Sequence, residues 1–141
     1  MKIQFKKLVP EAVKPKFGKP GDAGADLVAT SIDTHRDGQI VYGTGLAVEI
    51  PEGMVGLVFP RSSVRNYDLA MSNSVGVIDS GYRGEIMVTY NLKNPLPANI
   101  YLLGERIAQL IIIPVPLVQY KEVDELSETQ RGETGHGSTG K

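Results

Sequence analysis

Apolar residues along this chain recur mostly every second position, in short runs broken by glycine and proline. A period of two is the signature of a strand with one face buried. Residues 1–8 read as a first strand, with Ile3 and Phe5 on one face and Gln4 and Lys6 on the other. Leu46, Val48 and Ile50 alternate with Ala47 and Glu49, and Pro51-Glu52-Gly53 closes that strand with a turn. Residues 54–59 form a continuous apolar run, expected to be a strand buried on both faces. Residues 86–90 alternate again. Residues 104–118 hold the most apolar run, in which Gln109 is the one polar residue between Ile107 and Ile113. Pro114 and Pro116 demote the end of that strand to an edge or a bulge.

The connections are equally legible. Residues 10–21 hold three prolines, two glycines and three lysines, too proline-rich for a helix. Residues 33–38 are a polar turn containing His35, to which we assign no role, and residues 94–97 are a loop. Residues 60–70, PRSSVRNYDLA, predict a short helix capped by Ser62 or Ser63, with Val64, Tyr67 and Leu69 on its apolar side. Residues 76–85, GVIDSGYRGE, predict a β-hairpin: Val77 and Ile78 run into Asp79, Ser80-Gly81 supplies the turn, and Tyr82 and Arg83 lead into the next strand. From Tyr120 on the chain turns polar. Many short strands, close turns and at most one short helix predict a single all-β domain, a jelly-roll-like sandwich or barrel. Residues 1–118 would be its β core and 119–141 a C-terminal arm and flap.

Composition adds exclusions. At 141 residues the chain suits one domain. A formal net charge of −1 gives no global field for nucleic acid or an acidic membrane, so a polyanionic ligand must be held by a few local cations and amides. Cysteine is absent, which excludes disulfides and thiolate chemistry, and two histidines cannot build a zinc site. MKIQFKKLVP lacks the apolar core of a signal peptide, and no run reaches membrane-spanning length. The expected compartment is the cytoplasm, a host's if the source is viral.

Several stretches could carry chemistry, and each has an ordinary alternative. Asp26 in GDAGADL either enters a strand after a tight turn or offers a carboxylate near a hard cation. Arg61, Ser62 and Ser63 are either a surface arginine with a serine cap or an anion site. Asp79 and Tyr82 either decorate a turn or crowd a site at its tip. Gln109 needs a partner inside its strand and faces either an edge or a ligand. The C-terminal tail is either frayed or a mobile flap that wraps phosphates. It is not a P-loop: Gly132 and Gly137 have the spacing, but Ser138 stands where the lysine must be.

Five stretches stand in one order: AGADL at 23–27, PRSS at 60–63, GVIDSGYRGE at 76–85, GERIAQLII at 104–112 and RGETGHGSTG at 131–140. Together they resemble the five motifs of the homotrimeric deoxyuridine triphosphatases, the dUTPases, over nearly the whole chain. The resemblance implies a jelly-roll-like subunit in a symmetric trimer with interfacial active sites, hydrolysing dUTP to dUMP and pyrophosphate with Mg2+. It implies that Asp79 orients and deprotonates the attacking water and that Tyr82 packs under the deoxyribose. Asn73, Gly76, Val77, Ile78 and Met87 would bind the nucleoside, and Arg61, Ser62 and Ser63 the phosphates. Gln109 would help fix the α-phosphate and water, and Asp26 would lie near Mg2+ through water. Arg131, His136, Gly137, Ser138 and Thr139 would clamp the substrate from the tail.

The residue types suit that chemistry. Phosphoryl attack needs positioning and charge neutralisation more than a strong nucleophile. One carboxylate suffices for the water. Two positions depart from the pattern: His136 stands where the family usually has Phe, and Ser63 where many members have Gly. RSS also occurs in the related dCTP deaminases. A deaminase, or a bifunctional deaminase and diphosphatase, is therefore the alternative enzyme, and a non-catalytic jelly-roll module the alternative from another class. YRGE, the tail, and the presence of Asp79, Gln109 and Arg131 favour the dUTPase.

Overall fold

A computed structural model describes residues 1–35 and 37–133. Among these, ten strands are present: β1 Gln4–Lys7, β2 Ala25–Val28, β3 Ser31–Thr34, β4 Gln39–Gly43, β5 Leu46–Glu49, β6 Met54–Pro60, β7 Leu69–Met71, β8 Gly76–Ile78, β9 Met87–Leu92 and β10 Arg106–Pro114. A 3-10 helix, Ser62–Asn66, lies between β6 and β7. Two four-stranded sheets, ordered β2-β10-β6-β8 and β3-β4-β9-β7, are accompanied by a two-stranded β1-β5 sheet. Each of these pairings is antiparallel. This is the expected all-β, jelly-roll-like architecture. No helix among the described residues is long and apolar enough to cross a membrane.

The core forms where the inner faces of the two large sheets meet. Leu27, Val58, Ala108 and Leu110 come from one sheet, and Ile40, Tyr42, Val88 and Tyr90 from the other, all buried. Two tyrosines bring their own polar partners inward. The Tyr90 hydroxyl donates to the Ile107 carbonyl at 2.7 Å, and that of Tyr42 to the Tyr101 carbonyl at 3.2 Å. Each bond satisfies a buried hydroxyl, and that of Tyr90 ties one layer to a strand of the other.

Four expectations need correction or refinement. Residues 76–90 are not a hairpin. Ser80-Gly81 does sit in a turn, closed by the Tyr82 amide on the Asp79 carbonyl at 3.1 Å. β8, however, pairs with β6, whereas β9 pairs with β4 and β7 in the opposite sheet. The segment is pulled across because its end bonds the β4–β5 connection. The Glu85 carboxylate accepts from the Gly45 amide at 2.7 Å, the Ile86 amide donates to the Leu46 carbonyl at 2.8 Å, and Thr44 Oγ1 donates to the Ile86 carbonyl at 2.7 Å.

The helix after β6 is five residues of 3-10 turn with Arg61 at the cap position and no side-chain cap, so neither Ser62 nor Ser63 caps it. One turn and a half carries little macrodipole. Leu69 is not on its apolar side but opens β7. β6 is buried on one face, through Gly56 and Val58, and half-buried on the other, because no layer among the described residues covers the outer face. The end of β10 does behave as an edge. It pairs with β2 up to Leu110, after which residues 111–114 pair with β6 alone. Residues 115–133 contain neither helix nor strand and are exposed throughout.

Burial pushes the Tyr42 phenol up to about 12 and that of Tyr90 higher still. Unfolded, both would ionise near 10. Above that pH the unfolded chain binds fewer protons than the folded one, so stability is complete below pH ~10 and falls as pH rises towards the folded values. An alkaline titration followed at 295 nm, the phenolate band, should leave these two phenols silent at about pH 11 in folded protein. Their ionisation should coincide with loss of the near-UV circular dichroism; two normal titrations in the folded state would contradict the packing.

Candidate active site

The outer face of the β2-β10-β6-β8 sheet is set by register. Gln109 stands opposite Asp26 on one side and Phe59 on the other. Directly opposed residues share a face. Since Leu110 and Val58 point into the core, Asp26, Gln109 and Phe59 point away from it. Arg61 follows two residues after Phe59 and returns to that same face.

Side-chain contacts complete the cluster. Arg61 Nε donates to Asp26 Oδ1 at 2.7 Å, and its Nη1 donates to Ser63 Oγ at 3.1 Å. Arg106 Nη1 donates to the other Asp26 oxygen at 3.1 Å. Gln109 Nε2 donates to the Pro60 carbonyl at 3.1 Å, which leaves its carbonyl end over Gly24. A Cβ on Gly24 would lie 2.5 Å from Gln109 Oε1 and 3.0 Å from its Cβ, so the small residues of AGADL make room for that amide. Asp26, Arg61, Arg106, Gln109 and Ser62 line a cavity of about 420 Å3 together with Lys19, Asp22 and Gly18. Three cations face two carboxylates there, a modest positive excess suited to phosphate.

The second group of expected residues lies elsewhere. Ile78 pairs with Gly56, at the far end of β6 from Pro60. Roughly four residues at about 3.3 Å each put about 13 Å of strand between those ends. Asp79 follows Ile78 and is exposed. Tyr82, 40% exposed, is fixed by its hydroxyl donating to the Glu85 carbonyl at 2.9 Å and by its ring lying on Gly84, where a Cβ would come 2.5 Å from Cζ. Arg83 braces the turn, donating to the carbonyls of Ser80 at 2.6 Å and Tyr82 at 3.0 Å. Asn73 Nδ2 is 3.7 Å from the position a Cβ on Gly76 would take. Met87 opens β9 and is exposed.

Within one chain the expected residues therefore fall in two separate groups. The first gathers Asp26, Arg61, Ser62, Ser63 and Gln109. The second gathers Asn73, Gly76, Val77, Ile78, Asp79 and Tyr82, and within a single chain the two are not brought together. Arg131 lies in the exposed stretch after β10. His136, Gly137, Ser138 and Thr139 lie outside the described residues. Two participants escaped the sequence reading. Arg106 becomes visible only through the β2–β10 pairing, which joins residues 80 apart in sequence. Gly24 was legible as a small residue, but not as the seat of Gln109.

Among the described residues, no group of three histidine or acidic side chains could hold a metal ion. Asp26 has an arginine on each oxygen and is a poor direct ligand as it stands. The donor set fits Mg2+ only if phosphate oxygens and water supply most of its shell, with Asp26 outside it.

Residues 11–140 match the dUTPase family model. The chain belongs to the dUTPase family. The deoxyuridine 5'-triphosphate nucleotidohydrolase of Corynebacterium glutamicum is 44% identical over 144 residues, covering 99% of this chain and 95% of that protein. That of Rhodococcus erythropolis is 41% identical, covering 99% and 87%. Among solved structures, the dUTPase of Staphylococcus bacteriophage 80alpha with dUpNHpp superposes with a TM-score of 0.89 at 30% identity, covering 99% of this chain and 98% of that one. A mutant dUTPase from phage phi11 of S. aureus, described with a structural Mg(II) ion, gives 0.76 at 26% identity, covering 89% and 98%. The five motifs had implied this family, and this dUTPase hydrolyses dUTP. Neither the deaminase nor the non-catalytic module is favoured.

Gly24→Ala tests the seat of Gln109. The methyl must displace the amide, and a misplacement near 1 Å can cost up to about a hundredfold in rate. Turnover of dUTP should fall by roughly ten- to a hundredfold while the protein stays folded by circular dichroism; parental turnover would show that Gln109 needs no such seat.

Proposed function

We propose that the two half-sites meet across subunits of a homotrimer and that each active site takes one half from one chain and the other from its neighbour. The separation of Asp79 from Arg61 along β6 is the observation that carries this reading. The outer face supports it. Alongside Gln109 it carries Leu57, Ile111 and Val77 in register, with Val77 64% exposed and Ile113 39% exposed beyond. An exposed apolar face on a sheet marks a protein contact. A head-to-tail contact that closes after three copies generates three equal sites without leaving a free face.

Within each site, dUTP lies with its triphosphate over Arg61, Ser62 and Ser63 and its nucleoside against the turn after β8. Asn73, Gly76, Val77, Ile78 and Met87 surround the base and sugar. The fixed ring of Tyr82 forms a floor on which a 2′-hydroxyl would clash. Asp79 orients a water molecule at the α-phosphorus and takes its proton as the bond to the β-phosphate breaks. Gln109 steadies the α-phosphate and that water. Pyrophosphate leaves towards Arg61 and, from the C-terminal arm, Arg131, with His136, Gly137, Ser138 and Thr139 closing over the site. Mg2+, carried by the triphosphate with Asp26 beyond its water shell, would neutralise charge on the transferring group. The cytoplasm is the compartment that suits such a substrate.

Asp79→Asn is nearly isosteric but cannot take the proton. Pyrophosphate release from dUTP should fall by about two to four orders of magnitude, the usual worth of a general base, while dUpNHpp binding persists. Parental turnover in that variant would remove Asp79 from the chemistry. Tyr82→Ala should raise kcat/KM for UTP relative to dUTP; an unchanged ratio would take Tyr82 out of sugar selection.

A further inference from the structure

Tyr82 is 40% exposed, so core packing does not fix its ring. Two local contacts do. Its hydroxyl donates to the Glu85 carbonyl at 2.9 Å, and its ring lies on Gly84, where a Cβ would come 2.5 Å from Cζ. Both contacts stay within residues 82–85, and the bonds of Arg83 to the Ser80 and Tyr82 carbonyls are equally local. They hold the ring relative to the turn. What holds the turn relative to the two sheets is a separate matter.

That link runs through Glu85. Its Oε1 accepts from the Gly45 amide at 2.7 Å in the β4–β5 connection, forty residues away in sequence. The fit is close: a Cβ on Gly43 would lie 2.7 Å from the same oxygen. Gly45 itself has φ +63, and a Cβ there would run into Val9 and Ala12, so only glycine offers its amide in this place. The next residue is anchored too, the Ile86 amide donating to the Leu46 carbonyl at 2.8 Å. The peptide between Glu85 and Ile86 thus has its N–H on β5 and its C=O on Tyr82. One bond at the N–H leaves that peptide free to tilt about it. The Glu85 side chain, rooted at the other end of the peptide, supplies the second fixed point. Arg83 also reaches Glu49 of β5 at 3.6 Å, but both side chains are half exposed and water screens the pair.

We propose that Glu85 is a positioning residue for sugar selection. Its carboxylate ties the turn to Gly45, and its carbonyl, held in this way, sets the height of the Tyr82 ring beneath the sugar. The proposal rests on the reading that Tyr82 excludes a 2′-hydroxyl. Exclusion by contact acts over fractions of an ångström, so a ring that can tilt away admits a hydroxyl that a fixed ring refuses. A deoxyribose has only a hydrogen at that position and is less sensitive to the tilt. Loss of the Glu85 anchor should therefore act on the choice between sugars more than on dUTP itself.

The test is Glu85→Ala in the full chain, followed by pyrophosphate release from dUTP and from UTP. A misplacement near 1 Å is worth up to about a hundredfold in rate, so partial release of the ring should raise the UTP-to-dUTP ratio of kcat/KM by roughly three- to tenfold. Glu85→Gln keeps a carbonyl oxygen for the Gly45 amide and should keep the parental ratio. In a Tyr82→Ala background, Glu85→Ala should not move the ratio further, because no ring remains to be positioned. Glu85→Ala should also melt at a lower temperature, since the Gly45 amide loses its partner. Lower melting with a parental ratio makes Glu85 a purely structural residue and overturns the proposal. A ratio that rises equally in both backgrounds overturns it, as does one that rises as far in Glu85→Gln as in Glu85→Ala. Tyr82→Ala separates the premise: if it leaves the ratio at the parental value, the reading of Tyr82 fails and the proposal with it; if it raises the ratio while Glu85→Ala does not, the role of Glu85 alone fails.

Discussion

The pairing of β10 with β2 on one side and β6 on the other is the constraint on which the rest depends. Strand side chains alternate, so a slip of one residue in either ladder would turn Gln109 and Asp26 into the core. Leu110, Ala108, Val58 and Leu27 prevent that slip, because their burial is possible in this register alone. The core therefore fixes the orientation of polar residues that contribute nothing to it. Around Asp26 the two arginines then complete a charge cluster that is self-satisfied without ligand, so the cationic cavity does not leave the Asp26 carboxylate unpaired.

The same sheet supports the proposed trimer. Its inner face is covered by the β3-β4-β9-β7 layer, whereas its outer face leaves Leu57, Ile111 and Val77 in a row beside Gln109. β6 carries the cavity at one end and holds β8, with its turn, at the other. A rigid strand keeps the two groups of candidate residues apart within one chain. Bringing together the end of one copy and the opposite end of another satisfies the apolar face and the chemistry at once.

Much of this was readable from residue order. The alternation of residues 46–50 and 86–90, the proline stops at 114 and 116, and the turn at Ser80-Gly81 are local signals with local causes. What sequence could not give was partner choice. Residues 76–90 have every feature of a hairpin, yet Glu85 and Ile86 bond the chain at Gly45 and Leu46, forty residues away, and carry β9 into the other sheet. Ser62 and Ser63 look like caps, but a helix of one and a half turns gives a cap little to hold, and Ser63 turns to Arg61 instead. Arg106 bonds Asp26 across 80 residues of sequence, beyond the reach of any local pattern. The candidate residues themselves were named by motif; their separation into two groups came from the sheet.

Subunit complementation tests that division most directly. A chain carrying Asp79→Asn keeps an intact cavity, and a chain carrying Arg61→Ala keeps an intact turn. Each alone should be nearly inactive. Unfolded together and refolded at equal amounts, they should recover about a quarter of parental dUTP hydrolysis, because random assembly of a closed ring pairs an intact turn with a neighbour's intact cavity at roughly one site in four. Activity no higher than the sum of the two inactive chains would mean that Asp79 and Arg61 serve the same site from one chain, and would contradict the account.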